Sequence, residues 1–148
     1  QYLWTVGGAY GDPGALHVYF WYGNISADIG TRSATRSAFG LAPTQEWVHI
    51  AVSVDTTTLS VYVNGERVAS QGGTFEGIGS DGSPLIIGGL FHSGSGDFAY
   101  PLVGSVREVS YFDRTLSAYE IEALAGDAWT DAINPPRVIA GSWRWAVD

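Results

Sequence analysis

The 148-residue chain predicts an all-β fold: an antiparallel β-sandwich of the jelly-roll kind with one short helix near its C-terminus. Three observations carry that expectation. Trp47 to Ser70 reads as three strands in succession, further short β-branched or aromatic runs are separated by Gly- and Pro-rich turns, and helical signals appear only after Leu116.

The stretch from Trp47 is the clearest. Val48, Ile50, Val52 and Val54 alternate with Trp47, His49, Ala51 and Ser53, the period-two pattern of a strand with one face on a core. Asp55-Thr56-Thr57-Thr58 turns the chain, because an aspartate side chain accepts from the backbone of its own tight turn. Leu59, Val61 and Val63 resume the alternation against Ser60 and Tyr62. Asn64-Gly65 predicts a type I′ hairpin, since both residues tolerate positive φ, and Glu66 to Ser70 is the third strand of the meander.

Upstream, residues 2–6 read as a strand and Gly7 to Gly14 as a loop dense in turn formers. Ala15 to Tyr22 is a strand apolar on both sides, with His17, Tyr19 and Trp21 against Val18, Phe20 and Tyr22. Such a strand is covered twice or exposes aromatics for a reason. Gly23-Asn24 turns it, Ile25 to Thr31 is a weak third strand, and Arg32 to Gln45 is a polar connection. Downstream, Gln71 to Ser83 is loop, Pro84 to Leu90 a short buried strand, Phe91 to Pro101 a Gly/Ser loop and Leu102 to Phe112 a strand. Ser117 and Glu120 form a capping box, each side chain satisfying an orphan backbone donor. It opens a helix over Ala118 to Ala125 that Gly126 ends. In the tail, Ile139, Gly141, Trp143, Trp145 and Val147 share a face and suggest a last strand. The organisation read from this is a domain over residues 1–133 and a C-terminal extension over 134–148.

Bulk composition excludes some partners. With net charge −8, seven Arg and no Lys, the chain repels phosphate backbones, and Arg32 with Arg36 is too small a basic cluster for nucleic acid. Cys is absent, so disulfides and thiolate metal sites are excluded. No run approaches the ~20 apolar residues of a spanning helix, so membrane insertion is not expected. Met is absent, which reads as a processed product or a piece of a longer chain.

The order of certain pieces resembles the laminin-G-like jelly roll of the concanavalin A-like lectin/glucanase group. They are Trp47-Val48-His49-Ile50-Ala51, Asp55, Val61-Tyr62-Val63-Asn64-Gly65, Leu85-Ile86-Ile87-Gly88, Gly104-Ser105-Val106-Arg107-Glu108-Val109, and Phe112-Asp113-Arg114-Thr115-Leu116-Ser117-Ala118-Tyr119-Glu120-Ile121. These matches span Trp47 to Leu124, with a weaker one reaching upstream to Leu3. Two departures stand out. The family's opening two strands have no counterpart before Leu3: either they stood upstream and are lost, or another segment or a neighbouring protein chain supplies them, Trp143 to Val147 being the internal candidate. Arg107 stands where the family often has an acidic residue, which argues against a cation there.

The chemistry that the resemblance implies can be weighed residue by residue. Glucanases of the group carry alternating carboxylates on one strand, close enough for retention. That spacing is absent here: Glu120 and Glu122 point to different sides of a helix, and Glu46 and His49 fall on opposite faces of a strand. No G-x-S-x-G elbow occurs. His49 matches a core or near-core family position, while His17 and His92 read as strand-face and loop histidines. The Gly pairs lack the strand–helix context of phosphate cradles. Calcium is the one cofactor to consider, with Asp12, Asp81, Asp97, Glu108 and Asp113 as candidate oxygen ligands, whose other reading is solvated loop acids. For a glycan, aromatic platforms and polar neighbours are needed. Trp21, Tyr10, Tyr19, Phe91, Phe98 and Tyr100 supply rings, and Asp12, Asn24, Asp97 and His92 polar groups. Trp4, Trp47 and Phe112 are expected in the core. The expected ligand-binding set is Tyr10, Asp12, Trp21, His92, Asp97 and Tyr100.

The reading is a non-catalytic recognition or adhesion module for a glycan or protein ligand on an extracellular, cell or virion surface. A structural assembly module of a virion, tail fibre or surface filament is the alternative, and a glycoside hydrolase or lyase the enzymatic one.

Overall fold

A computed structural model describes residues 1–7, 14–29, 32–36, 47–75, 78, 84–92, 97–126 and 142–146, of which 32–36, 91–92 and 142–146 are described as backbone. The strands are β1 (Tyr2–Val6), β2 (Leu16–Trp21), β3 (Asn24–Ile29), β4 (Arg32–Arg36), β5 (Val48–Val54), β6 (Thr58–Val63), β7 (Glu66–Gly72), β8 (Leu85–Ile87), β9 (Leu90–His92), β10 (Asp97–Ala99), β11 (Ser105–Ser110) and β12 (Ser142–Ala146), with one helix, α1 (Ala118–Gly126), between the last two. One sheet has the order β4-β3-β2-β1-β8 and the other β11-β12-β5-β6-β7, while β9 and β10 form a separate hairpin. β4 packs near β7, so β8 and β11 lie along the opposite side of the sandwich.

Between the sheets lies a core of Leu3, Trp4, Val6, Leu16, Val18, Ile25, Ile50, Leu59, Val61, Val63 and Phe75. Its pattern follows from strand alternation: Leu16, Val18 and Phe20 stand opposite Ile29, Ala27 and Ile25 on one face of β2–β3. The expected aliphatic row of the meander faces this core, with Val48, Val52 and Val54 packed at its margin. The reverse face of β5–β6 is also covered. Ala51 and Tyr62 pack there against Leu116 and Ile121, at the entry to and on α1.

The turns form as their residues require. Asp55 Oδ1 accepts from the backbone N–H of Thr57 and of Thr58, both at 2.7 Å. These bonds to the ionised form hold its carboxyl below the usual range. Asn64 and Gly65 take φ of 49° and 85°, the I′ geometry. A Cβ on Gly65 would come within 3.0 Å of the Glu122 backbone, so this turn also seats the helix.

The capping box is present and extended. Ser117 N–H donates to Glu120 Oε2 at 2.8 Å, and Glu120 N–H returns to Ser117 Oγ at 3.3 Å. Arg114 adds a forked ion pair, Nη2 to Oε1 at 2.6 Å and Nη1 to Oε2 at 3.1 Å. Arg114 and these donors lower the Glu120 pKa from 4.5 to about 2. A depressed carboxylate pKa stabilises the fold above the unfolded value and loses that contribution as pH falls through the folded one. Comparing melts of wild type with Glu120→Gln should therefore show a gap at neutral pH that closes between about pH 4.5 and 2. A gap independent of pH across that range would refute the assignment.

Several sequence expectations are corrected. The turn after β2 is Tyr22-Gly23, with φ of 46° and 77°, and Asn24 opens β3 opposite Trp21. The polar connection contains a strand, β4, paired to β3. Residues 84–90 are not one buried strand: β8 is a half-exposed sheet edge, and Leu90 belongs to β9. Part of the expected Gly/Ser loop is the β9–β10 hairpin. Trp47 is 46% exposed instead of core, because Leu116 and Ile121 cover Ala51 and leave the start of β5 open. It lies 5.9 Å under the Arg107 guanidinium. Phe112 is half-buried at the margin of the second cluster. The last strand is β12, and it enters the interior of its sheet, between β11 and β5.

Candidate functional site

The face of the first sheet that points away from the core is polar and aromatic. In β2 it carries His17, Tyr19 and Trp21, opposite Asp28, Ser26 and Asn24 of β3. A bulge at Leu3 sends both Leu3 and Trp4 inward and leaves Tyr2 on this outer face, opposite Tyr19. Most of the layer is covered: His17 and Ser26 are 0% exposed and Asp28 3%.

One buried pair organises it. The Tyr19 hydroxyl donates to Asp28 Oδ2 at 2.6 Å, a short O–H···O bond. Tyr19 is held by this bond and packs on Tyr2, ring centroids 5.0 Å apart. Tyr2 meets the edge of His17 on one side and Tyr100 on the other, each at 5.8 Å. Tyr2 N–H also donates to Tyr100 O at 3.0 Å. The chain of contacts runs from an interior carboxylate outward to a half-exposed ring.

At its outer end the layer is exposed aromatic surface. Tyr100 is 58% exposed and Trp21 50%. Trp21 lies two residues beyond Tyr19 on the same face, about 7 Å further along the strand, and meets the Tyr22 ring edge-on at 5.1 Å. Tyr100 has φ of 51°, a backbone region that costs a bulky residue of order 1–3 kcal/mol and that clusters at ligand sites.

Of the six expected ligand residues, Trp21 stands on this face and Tyr100 packs against it through Tyr2. Asp97, exposed, starts β10 three residues before Tyr100 and pairs with His92 of β9. The His92 side chain, Tyr10 and Asp12 lie outside the described residues. The sequence reading missed Tyr2, His17 and Asp28 as members of the site. The signal available was the shared parity of His17, Tyr19 and Trp21; what it lacked was the register that sets Asp28 beside them.

Among the described residues, three further acids have partners. Asp55 caps its turn, Glu120 pairs with Arg114, and Glu108 pairs with Arg107 at 3.1 Å. Of the calcium candidates, Asp12 and Asp81 lie outside the described residues, and Asp97 and Asp113 are exposed. Among the described residues no three His, Asp or Glu side chains gather as metal ligands. Nor is any helix there long and apolar enough to cross a membrane. A cavity of about 440 Å³ opens beyond the end of β5, walled by Trp4, Leu16, Phe75, Val54, Phe112 and Leu116.

Comparisons with known proteins bear on the family. Residues 5–122 match a family model described as the concanavalin A-like lectin/glucanases superfamily, laminin G type. No curated protein matches the chain. Among solved structures, an S-layer domain-containing protein (residues 221–444) from Clostridium thermocellum is similar, with 23% identity and a TM-score of 0.49 over 85% of this chain and 63% of that one. With the two-layer antiparallel sheet, the tight Asn64-Gly65 turn and the capped late helix in place, the family match over most of the chain settles its membership: it is a laminin-G-like member of the concanavalin A-like lectin/glucanase superfamily.

Proposed function

We propose that the chain is a non-catalytic recognition module that binds a glycan at the aromatic surface of Trp21, Tyr2 and Tyr100. The observation that carries this reading is the exposed Tyr100 ring, backed through Tyr2 and Tyr19 by the buried Asp28 carboxylate. Rings fixed in this way lose little freedom when the C–H face of a sugar stacks on them. Asp97, three residues before Tyr100, and Asn24, opposite Trp21, are the polar candidates for reading hydroxyls. The Asp97 charge and the net −8 favour a neutral glycan over a sulfated or sialylated one. A reader of this kind belongs on an extracellular or cell surface.

A glycan array followed by titration tests the proposal. Saturable binding of a neutral oligosaccharide is expected, and Tyr100→Ala or Trp21→Ala should each weaken it about 10- to 100-fold, as removal of a central aromatic anchor does. Absence of saturable binding, binding untouched by both substitutions, or turnover of a polysaccharide would overturn it. The second reading, a structural assembly module, draws on a separate feature: the open β8 edge.

A further inference from the structure

β8 differs from the three other edges of the two sheets. Among the described residues it pairs with β1 alone. Leu85 and Ile87 stand opposite Val6 and Trp4, both core residues, so their side chains belong to the inner face. Yet Leu85 is 37% exposed and Ile87 47%, against 5% and 2% for their partners. The same happens across the sandwich. A bulge at Glu108, φ 58°, places Val109 in the row that contains Ile50, and Val109 is 36% exposed. The inner faces of both sheets therefore run past their mutual cover on the side where β8 and β11 lie.

Among the described residues nothing bonds the outward backbone groups of β8, and just past it Gly88 O accepts from Leu102 N–H at 2.9 Å. Gly88 N–H donates to Leu3 O at 2.8 Å, so the Ile87 carbonyl points away from β1. By strand alternation the Ile87 N–H and both polar groups of Leu85 point the same way. Sheet edges are normally blunted by charge. β4 carries Arg32 and Arg36, β7 carries Glu66 and Arg67, and β11 carries Arg107 and Glu108. β8 reads Leu85-Ile86-Ile87 and has none.

Chemistry narrows the occupant. A second copy would pair β8 with β8, and three-residue edges bury well under the roughly 1,000 Å² of a specific interface. Each copy would also bring a net charge of −8. A longer extended segment has neither limit, because its alternate side chains can fill the space between β8 and β11. We propose that β8 accepts a strand from a partner protein, aliphatic at alternate positions and neutral or basic at its flanks, which covers Leu85, Ile87 and Val109. This site is distinct from the aromatic surface and does not depend on the glycan reading.

The probe is an acetylated, amidated peptide of alternating valine and threonine with arginine at each end. At saturating peptide, hydrogen exchange of the Leu85 and Ile87 amides should slow by about tenfold or more. Ile87→Lys should abolish that protection. Ile87→Pro removes an outward N–H and no bond to β1, so it too should abolish peptide protection at Leu85 while the melting temperature holds. No slowing at millimolar peptide, or slowing that persists in Ile87→Lys, overturns the proposal. So would concentration-dependent dimers that Ile87→Lys dissolves, since the occupant would then be a second copy.

Discussion

Replacing Ile50 by alanine is expected to destabilise the fold by about 2–5 kcal/mol, the range for truncating a large aliphatic in a closed core. Ile50 is fully buried in the middle of β5, opposite Val63 on β6. β5 is bonded on both sides, to β6 and β12. Neighbouring backbone held from two directions cannot collapse into the space left behind, which places the expectation in the upper part of the range. Urea denaturation with an unchanged slope is the measurement. Val52→Ala, half-buried on the same face, should cost clearly less. A loss under about 1 kcal/mol at Ile50 would mean that this row does not line the interior.

The second large effect is expected at Asp28. Asp28→Ala should cost up to about 3 kcal/mol, because it takes the Asp28 acceptor away from the buried Tyr19 hydroxyl. Tyr19→Phe removes the donor instead and should cost less than the aspartate truncation, since the carboxylate keeps its other surroundings. In the double variant the two losses should fall short of their sum, with a coupling within the range of about 0.5–3 kcal/mol measured for residues in contact. Strict additivity would show that the pair is not a unit. Asp28→Ala should also weaken glycan binding although the residue is 3% exposed, because Tyr19 supports Tyr2 and Tyr2 supports Tyr100. Asp28→Asn, which keeps an acceptor in place, should recover part of both losses.

These two positions mark the difference between what was legible and what was not. Ile50 could be placed inside from its neighbours alone, since Val48, Ile50, Val52 and Val54 repeat at the strand period and the reverse face differs in kind. The Asn64-Gly65 turn and the Ser117–Glu120 box were equally readable, because each is a local backbone requirement met by particular side chains. Asp28 was not readable. Its role depends on lying beside Tyr19 across a hairpin whose turn is Tyr22-Gly23, with a tyrosine in the left-handed region that propensity alone assigns to glycine or asparagine. Trp47 was misplaced for a related reason. Its alternation parity is that of buried Ala51, but burial on that face depends on how far the helix entry reaches.

The chain by itself determined the meander, its turns, the capped helix and the family, because period-two alternation, left-handed turn residues and helix caps are all settled within a few neighbouring positions. Only the tertiary structure decided that β12 lies inside a sheet, that Tyr2, Tyr19 and Tyr100 stack outward from Asp28, and that β8 is left as an uncharged edge. Those are outcomes of strand order, register and bulges, which bring distant residues together at a free-energy difference that no local pattern records.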